Sequence, residues 1–171
     1  MDTGLRGKTV VITGASRNMG RNAALAFARE GARLALCTRT SISELNQVAD
    51  EARGIGAEVV AEICDVTDGP AVARFIGKVE EQFGGIDVLV NAVGYRCESG
   101  FLELDFQEWA RNIEVNLSGV YHTCRNVIPL MMLRNSGRII NISGTAAAYL
   151  GGGVAKGTVK LGIVGFTRGL A

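Results

Sequence analysis

The stretch best equipped for chemistry lies near the start of the chain. Thr9-Val10-Val11-Ile12 is an apolar, mostly β-branched run, long enough for one buried strand. Thr13-Gly14-Ala15-Ser16-Arg17-Asn18-Met19-Gly20 follows it, and its glycines permit backbone shapes that other residues resist. Residues 21–30 are then alanine-rich, with Leu25 and Phe27 on a helical pattern and Gly31 as the expected stop. Strand, glycine-rich turn and helix in that order set unpaired helix N–H groups against a phosphate. Phosphate or dinucleotide binding is the expectation, and a merely tight turn is the bland alternative. Two arginines bear on the same chemistry. Arg17 sits in the turn, and Arg39 follows a second apolar run in Cys37-Thr38-Arg39-Thr40, where no acid stands. An acid at that strand end would suit ribose hydroxyls, whereas a guanidinium accommodates a further phosphate. Two solvated surface arginines are the plain alternative.

The elements that must position these groups alternate between strand-like and helix-like segments. Residues 32–38 read as a second strand. A helix begins at Ser43, with Leu45, Val48, Ala49 and Ala52 at helical spacing, and is stopped by Gly54 and Gly56. Residues 57–64 form a third strand. Asp68-Gly69-Pro70 leads into a helix with Val72, Phe75, Ile76 and Val79 on its apolar face, ending at Gly84-Gly85. Residues 86–90 form a fourth strand and 95–104 a loop. Asp105 is a plausible N-cap for a helical region over 105–133 that contains a break. Residues 137–143 give a fifth strand, 144–153 a loop and 154–171 a helix. Strands joined by helices imply parallel pairing, and near-continuous apolar strands suit a sheet covered on both faces. The expected fold is one doubly wound, Rossmann-like α/β domain over residues 1–171, with its ligand beyond the carboxyl ends of the strands.

Composition narrows the function classes. The chain has 171 residues, 47% hydrophobic and 20% charged, and a net charge of +1. That balance argues for no nucleic-acid or acidic-membrane partner. No apolar run reaches the length of a membrane span, and no signal peptide is expected at the start. Cys37, Cys64, Cys97 and Cys124 are scattered without metal-ligand spacing. Cys37 and Cys64 lie in apolar runs and read as core residues, which favours a reducing cytoplasm. The one histidine, His122, has no partner cluster and reads as a packing or helix-surface residue.

The glycine turn resembles the Thr-Gly-x-x-x-Gly-x-Gly segment of the classical short-chain dehydrogenase/reductase family. Gly14 and Gly20 match its first and last glycines, and Asn18 stands at the middle one. Asparagine is among the best non-glycine residues at positive φ, so the turn is expected to be kept. Asn91-Ala92-Val93-Gly94 resembles the family's Asn-Asn-Ala-Gly, with Asn91 and Gly94 transferring. The resemblance implies cofactor contacts from Gly14, Ser16, Arg17, Asn18, Met19 and Gly20, and from Arg39, Asp65, Val66, Asn91, Gly94 and Lys160. Asp65 would sit beside the adenine. NADP is expected rather than NAD. The resemblance implies hydride transfer between that cofactor and a small carbonyl or alcohol substrate, with Asn116, Ser143 and Lys160 as catalytic groups. Asn116 would support a proton-relay water, and Lys160 would bind the ribose and lower the pKa of a catalytic tyrosine.

The match degrades at that tyrosine. It belongs four residues before Lys160, where this chain has Lys156, and the family's usual serine position holds Gly144 beside Ser143. Tyr149 cannot be brought one helical turn from Lys160 and reads as loop packing. Two readings stand open. One is a family member that has lost its acid/base and binds NADP or serves assembly. The other is an ordinary enzyme whose sequence here lacks a short piece near Gly153 and the part after Ala171, the C-terminal part of the usual fold. A different Rossmann enzyme, such as a methyltransferase, is disfavoured by Asn91, Asn116 and Lys160 together. A homo-oligomer is expected through the 105–133 region, which carries Phe106, Trp109, Ile113, Val115, Val120, Tyr121, Val127 and Ile128.

Overall fold

A computed structural model describes residues 3–144 and 153–171. Its strands are β1 (Thr9–Thr13), β2 (Arg33–Thr38), β3 (Val59–Ile63), β4 (Val88–Asn91) and β5 (Arg138–Asn141). They form one parallel sheet in the order β3-β2-β1-β4-β5. The chain builds outward from β1 to β3, then returns to place β4 on the other side of β1. Loops leaving β1 and β4 therefore diverge at their carboxyl ends and open a crevice there.

Helices α1 (Asn18–Arg29), α2 (Ile42–Ile55), α3 (Gly69–Phe83), α4 (Phe106–Ile113), α5 (Gly119–Leu133) and α6 (Val154–Leu170) complete the described fold. Alternate residues of each strand point to opposite faces, and two cores result. Val10, Ile12, Leu34 and Leu36 pack with Ala24 and Leu25 of α1 and Leu45 and Val48 of α2. Val11, Ala35 and Leu89 pack with Phe75, Ile76 and Val79 of α3 and Val120 and Val127 of α5. Both faces are covered, which is why the strands read as apolar runs rather than as a two-residue alternation.

The expected cap forms at Asp105, which accepts from the Glu108 N–H at 2.7 Å. Asp68 also caps its helix, accepting from the Ala71 N–H at 3.0 Å, with Pro70 in the first turn as expected. Boundaries differ from expectation by small amounts. The second helix starts at Ile42 and runs through Gly54, and only Gly56, in the left-handed region, ends it. The third strand is shorter because Ala57 N–H still bonds back to Ala52 in α2. The fourth begins two residues late and includes Asn91. The break expected in 105–133 is a π-helical turn, Glu114–Ser118.

All four cysteines are buried and unpaired. His122 packs beneath the start of α3: a Cβ on Gly69 would meet its Nδ1 at 3.1 Å. No helix among the described residues is long and apolar enough to cross a membrane. Tyr149 lies outside the described residues.

Candidate active site

A cleft of about 810 Å³ runs across the carboxyl ends of the strands, in the upper range for small-molecule sites. The residues expected at the site all line it except Asn91. One end is built by segments following β1, β2 and β3, the other by segments following β4 and β5 together with α4 and α6.

At the first end, backbone packs on backbone. Gly14 has φ +66°, and a Cβ there would meet the Val93 backbone nitrogen at 3.0 Å; a Cβ on Gly20 would overlap the Gly14 carbonyl oxygen. A side chain at Gly20 would push α1 off the turn, and one at Gly14 would sit at a strained positive φ and press on the Val93 backbone. Asn18 adopts φ 49°, the conformation for which its residue type was expected to serve. The N-cap residue Arg17 makes no side-chain cap, so it leaves the first N–H groups of α1 to an anion. The Ala15 N–H bonds to the Cys37 carbonyl at 3.1 Å, and Ser16 Oγ lies 3.3 Å from Thr38 Oγ1, which ties the turn to β2. Arg17 and Arg39 are exposed at this end. A cradle that rejects a Cβ, an uncapped helix start and two guanidiniums fit a dinucleotide phosphate group. Asp65 accepts from the Thr67 N–H (3.0 Å) and hydroxyl (2.9 Å), a local turn that orients its carboxylate. Val66 lies under Gly119, where a Cβ would approach its Cγ2 to 2.7 Å.

Asn91 departs from expectation. Its side chain lies under the cleft, donating to Asn141 Oδ1 at 2.8 Å and accepting from Thr123 Oγ1 at 2.8 Å. It thereby joins β4, β5 and α5 as a buried structural tie, so its side-chain amide is spent on protein partners. The face it takes at the strand end decides this.

The second end centres on the π turn. A wider helical register withdraws backbone N–H groups from the carbonyls one α-turn back. Asn116 covers one of these itself, its Nδ2 donating to the Asn112 carbonyl at 2.9 Å. The same Nδ2 reaches Asn112 Oδ1 (2.9 Å) and the Tyr95 carbonyl (3.0 Å). Its Oδ1 is buried with no partner among the described residues, an acceptor that suits a bound water. Asn112, fully buried, donates to the Ala155 carbonyl at 2.8 Å and locks α4 to the first turn of α6. The sequence reading missed Asn112; the spacing Asn112-x-x-x-Asn116 on one helix face was the available signal.

From the β5 side, Lys160 Nζ donates to the Ile142 carbonyl at 3.2 Å, and Ser143 Oγ donates to the Lys160 carbonyl at 2.8 Å. Strand end and helix are thus tied twice. Burial pushes the Lys160 amine below the ordinary lysine pKa, and the nearby Lys156 ammonium adds to that. Lys156 lines the cleft one turn before Lys160. Gly144, at φ +133°, offers no side chain beside Ser143.

The chain matches the family model for short chain dehydrogenase over residues 8–171. It is 36% identical over 169 residues to oxidoreductase UcpA of Escherichia coli K12, covering 98% of this chain and 64% of that protein. It is 35% identical over 162 residues to the 3-oxoacyl-acyl-carrier-protein reductase FabG of Staphylococcus epidermidis RP62A, covering 94% of this chain and 66% of that protein. The solved structure of NAD+-bound xylitol dehydrogenase superimposes with a TM-score of 0.94 at 31% identity, over 98% of this chain and 65% of the other. The chain thus spans about two thirds of the length of these relatives.

Proposed function

The chain belongs to the short-chain dehydrogenase family, and on that premise we propose an NADP-dependent oxidoreductase acting on a small carbonyl or alcohol. The observation that carries this reading is the meeting of the glycine cradle, Asn116, Ser143 and Lys160 in one cleft. FabG, by its name a reductase of a 3-oxoacyl group, supports a carbonyl substrate. The bound cofactor supplies or accepts the hydride. The chain's own residues hold and orient it. The N–H groups at the start of α1 bind phosphate, and Arg17 and Arg39 hold the additional one. Lys160, with one N–H given to Ile142, keeps two donors for ribose hydroxyls. Asn116 Oδ1 holds a water at the inner wall.

A second reading, an NADP-binding chain with impaired proton transfer, is favoured by two observations. Lys156 occupies the position one turn before Lys160. The Ser143 hydroxyl spends its one proton on the Lys160 carbonyl, so it has no donor left for a substrate oxygen.

The cofactor assignment has a direct test. A charge-assisted arginine–phosphate bond is worth about 1.5–3 kcal/mol, so NADPH is expected to bind roughly ten- to a hundredfold tighter than NADH. Arg39→Ala should bring the two affinities together. Fluorescence titration of both nucleotides measures it, and equal affinities in the unmodified chain would sink the NADP assignment.

The same helices support self-association. Val120 and Val127 are buried against the sheet, whereas Phe106 (79% exposed), Met132 (69%) and Leu133 (83%) present apolar surface to solvent. A dimer or tetramer is expected by light scattering at micromolar concentration, and a monomeric mass would refute it. The four unpaired thiols support a reducing compartment such as the cytoplasm.

A further inference from the structure

The cleft is far more basic than the chain that contains it. Lysine plus arginine exceed aspartate plus glutamate by one overall (18 against 17). Among the cleft-lining residues, however, Arg17, Arg39, Arg96, Arg111, Lys156 and Lys160 face a single carboxylate, Asp65. Arg17, Arg39 and Asp65 follow β1, β2 and β3, at the end assigned to the cofactor. The other four cations lie at the opposite end, where no carboxylate lines the cleft.

Two of those four are already engaged. Arg96 is 3.7 Å from Glu98, and Lys160 donates to Ile142. Arg111 and Lys156 have no carboxylate partner among the described residues. Nor do residues 145–152 bring one, since they contain no Asp or Glu. The nearby Glu108 accepts from Ser99. Arg111 is steadied by stacking over Tyr95, 5.6 Å from its ring centroid. The buried bond from Asn112 to Ala155 joins the residue after Arg111 to the residue before Lys156, so both cations are held at one end of the cleft. Lys156 and Lys160 also stand four apart on one helix, an unfavourable placement for like charges unless an anion lies near them.

We infer that this end of the cleft takes a carbonyl compound bearing a carboxylate or phosphate, recognised by Arg111 and Lys156. The inference rests on the oxidoreductase reading and names its substrate class. A guanidinium offers a fork for two anion oxygens, and the ammonium supplies a mobile point charge. The carbonyl then points inward, towards a water held by Asn116 Oδ1, the acceptor without a protein partner among the described residues.

The test uses the chain saturated with NADP+, which occupies the phosphate sites at the other end. Pyruvate is titrated against acetone, and dihydroxyacetone phosphate against dihydroxyacetone, by calorimetry at constant ionic strength. At least one charged probe is expected to bind about tenfold or more tighter than its neutral partner. The pair that responds identifies the carboxylate or the phosphate. Lys156→Gln and Arg111→Gln should each erase most of that difference without weakening NADP+ binding. Equal binding within both pairs overturns the inference, as does a charge preference that survives both substitutions. Failure of NADP+ itself to bind would overturn the oxidoreductase reading instead, which separates the two.

Discussion

Lys156→Tyr is expected to raise NADPH oxidation by about 10²–10⁴-fold over the unmodified chain, the usual range for a positioned general acid. The unmodified 171 residues should bind the nucleotide and turn over slowly. The geometry for the gain is in place. Residue 156 lines the cleft one helical turn from Lys160, so a phenol there would meet an ammonium that favours its ionised form. The native lysine serves badly in that role. Its charge adds to that of Lys160 and opposes the positive charge that develops on the nicotinamide as hydride leaves. Adding Gly144→Ser would supply an oxyanion-type donor worth up to about 10²–10³-fold. Its φ of +133° strains any side chain there, at about 1–3 kcal/mol, so the double variant should gain less than the product of the two. Steady-state assays with neutral ketones measure both variants, since anionic ones would also lose the Lys156 contact. Robust turnover by the unmodified chain would show the assignment of residue 156 to be wrong.

Gly20→Ala is expected to weaken dinucleotide binding by about a hundredfold or more. The new methyl group would overlap the Gly14 carbonyl oxygen, and neither partner is a flexible side chain that can swing aside. Relief requires α1 to move away from β1, which carries its first N–H groups off the phosphate position. Asn18→Gly is the contrasting substitution: the backbone at φ 49° already suits glycine, so affinity should stay within a few-fold of the original, roughly the spread of an ordinary surface change. Nucleotide titration beside a thermal melt separates lost affinity from lost folding. Unchanged affinity in Gly20→Ala would mean that the helix start is not the phosphate site.

Residues whose role is local were the most legible before the fold was known. Asn18 at positive φ, Pro70 in a first helical turn, Asp105 as a cap and the glycine cradle each follow from the chemistry of a few neighbouring positions. The two-faced cover of the sheet was also visible, because runs such as Val10-Val11-Ile12 leave no polar face for solvent. What depended on distant partners was less visible. Asn91 ends a strand, and only the packing of α5 and β5 decides that its amide meets Thr123 and Asn141 instead of the cleft. Nothing local marks Arg111 as a cleft residue, because Asn112 has to dock on Ala155 first. A break in the 105–133 region was readable, but its π register was not, since a wide turn is chosen by what its side chains can satisfy.

The burial of every thiol has a practical consequence. Cys37 sits in the sheet, Cys124 on a covering helix and Cys64 at the lip of the cleft, with exposures of 1%, 1% and 3%. An alkylating reagent in solution reaches such sulfurs chiefly when the layer above them opens. All three belong to the one core between the sheet and helices α3 and α5, so the chain carries its own footprinting reporters for the opening of that layer. Their common rate of reaction reads the opening free energy of that layer, without an introduced label.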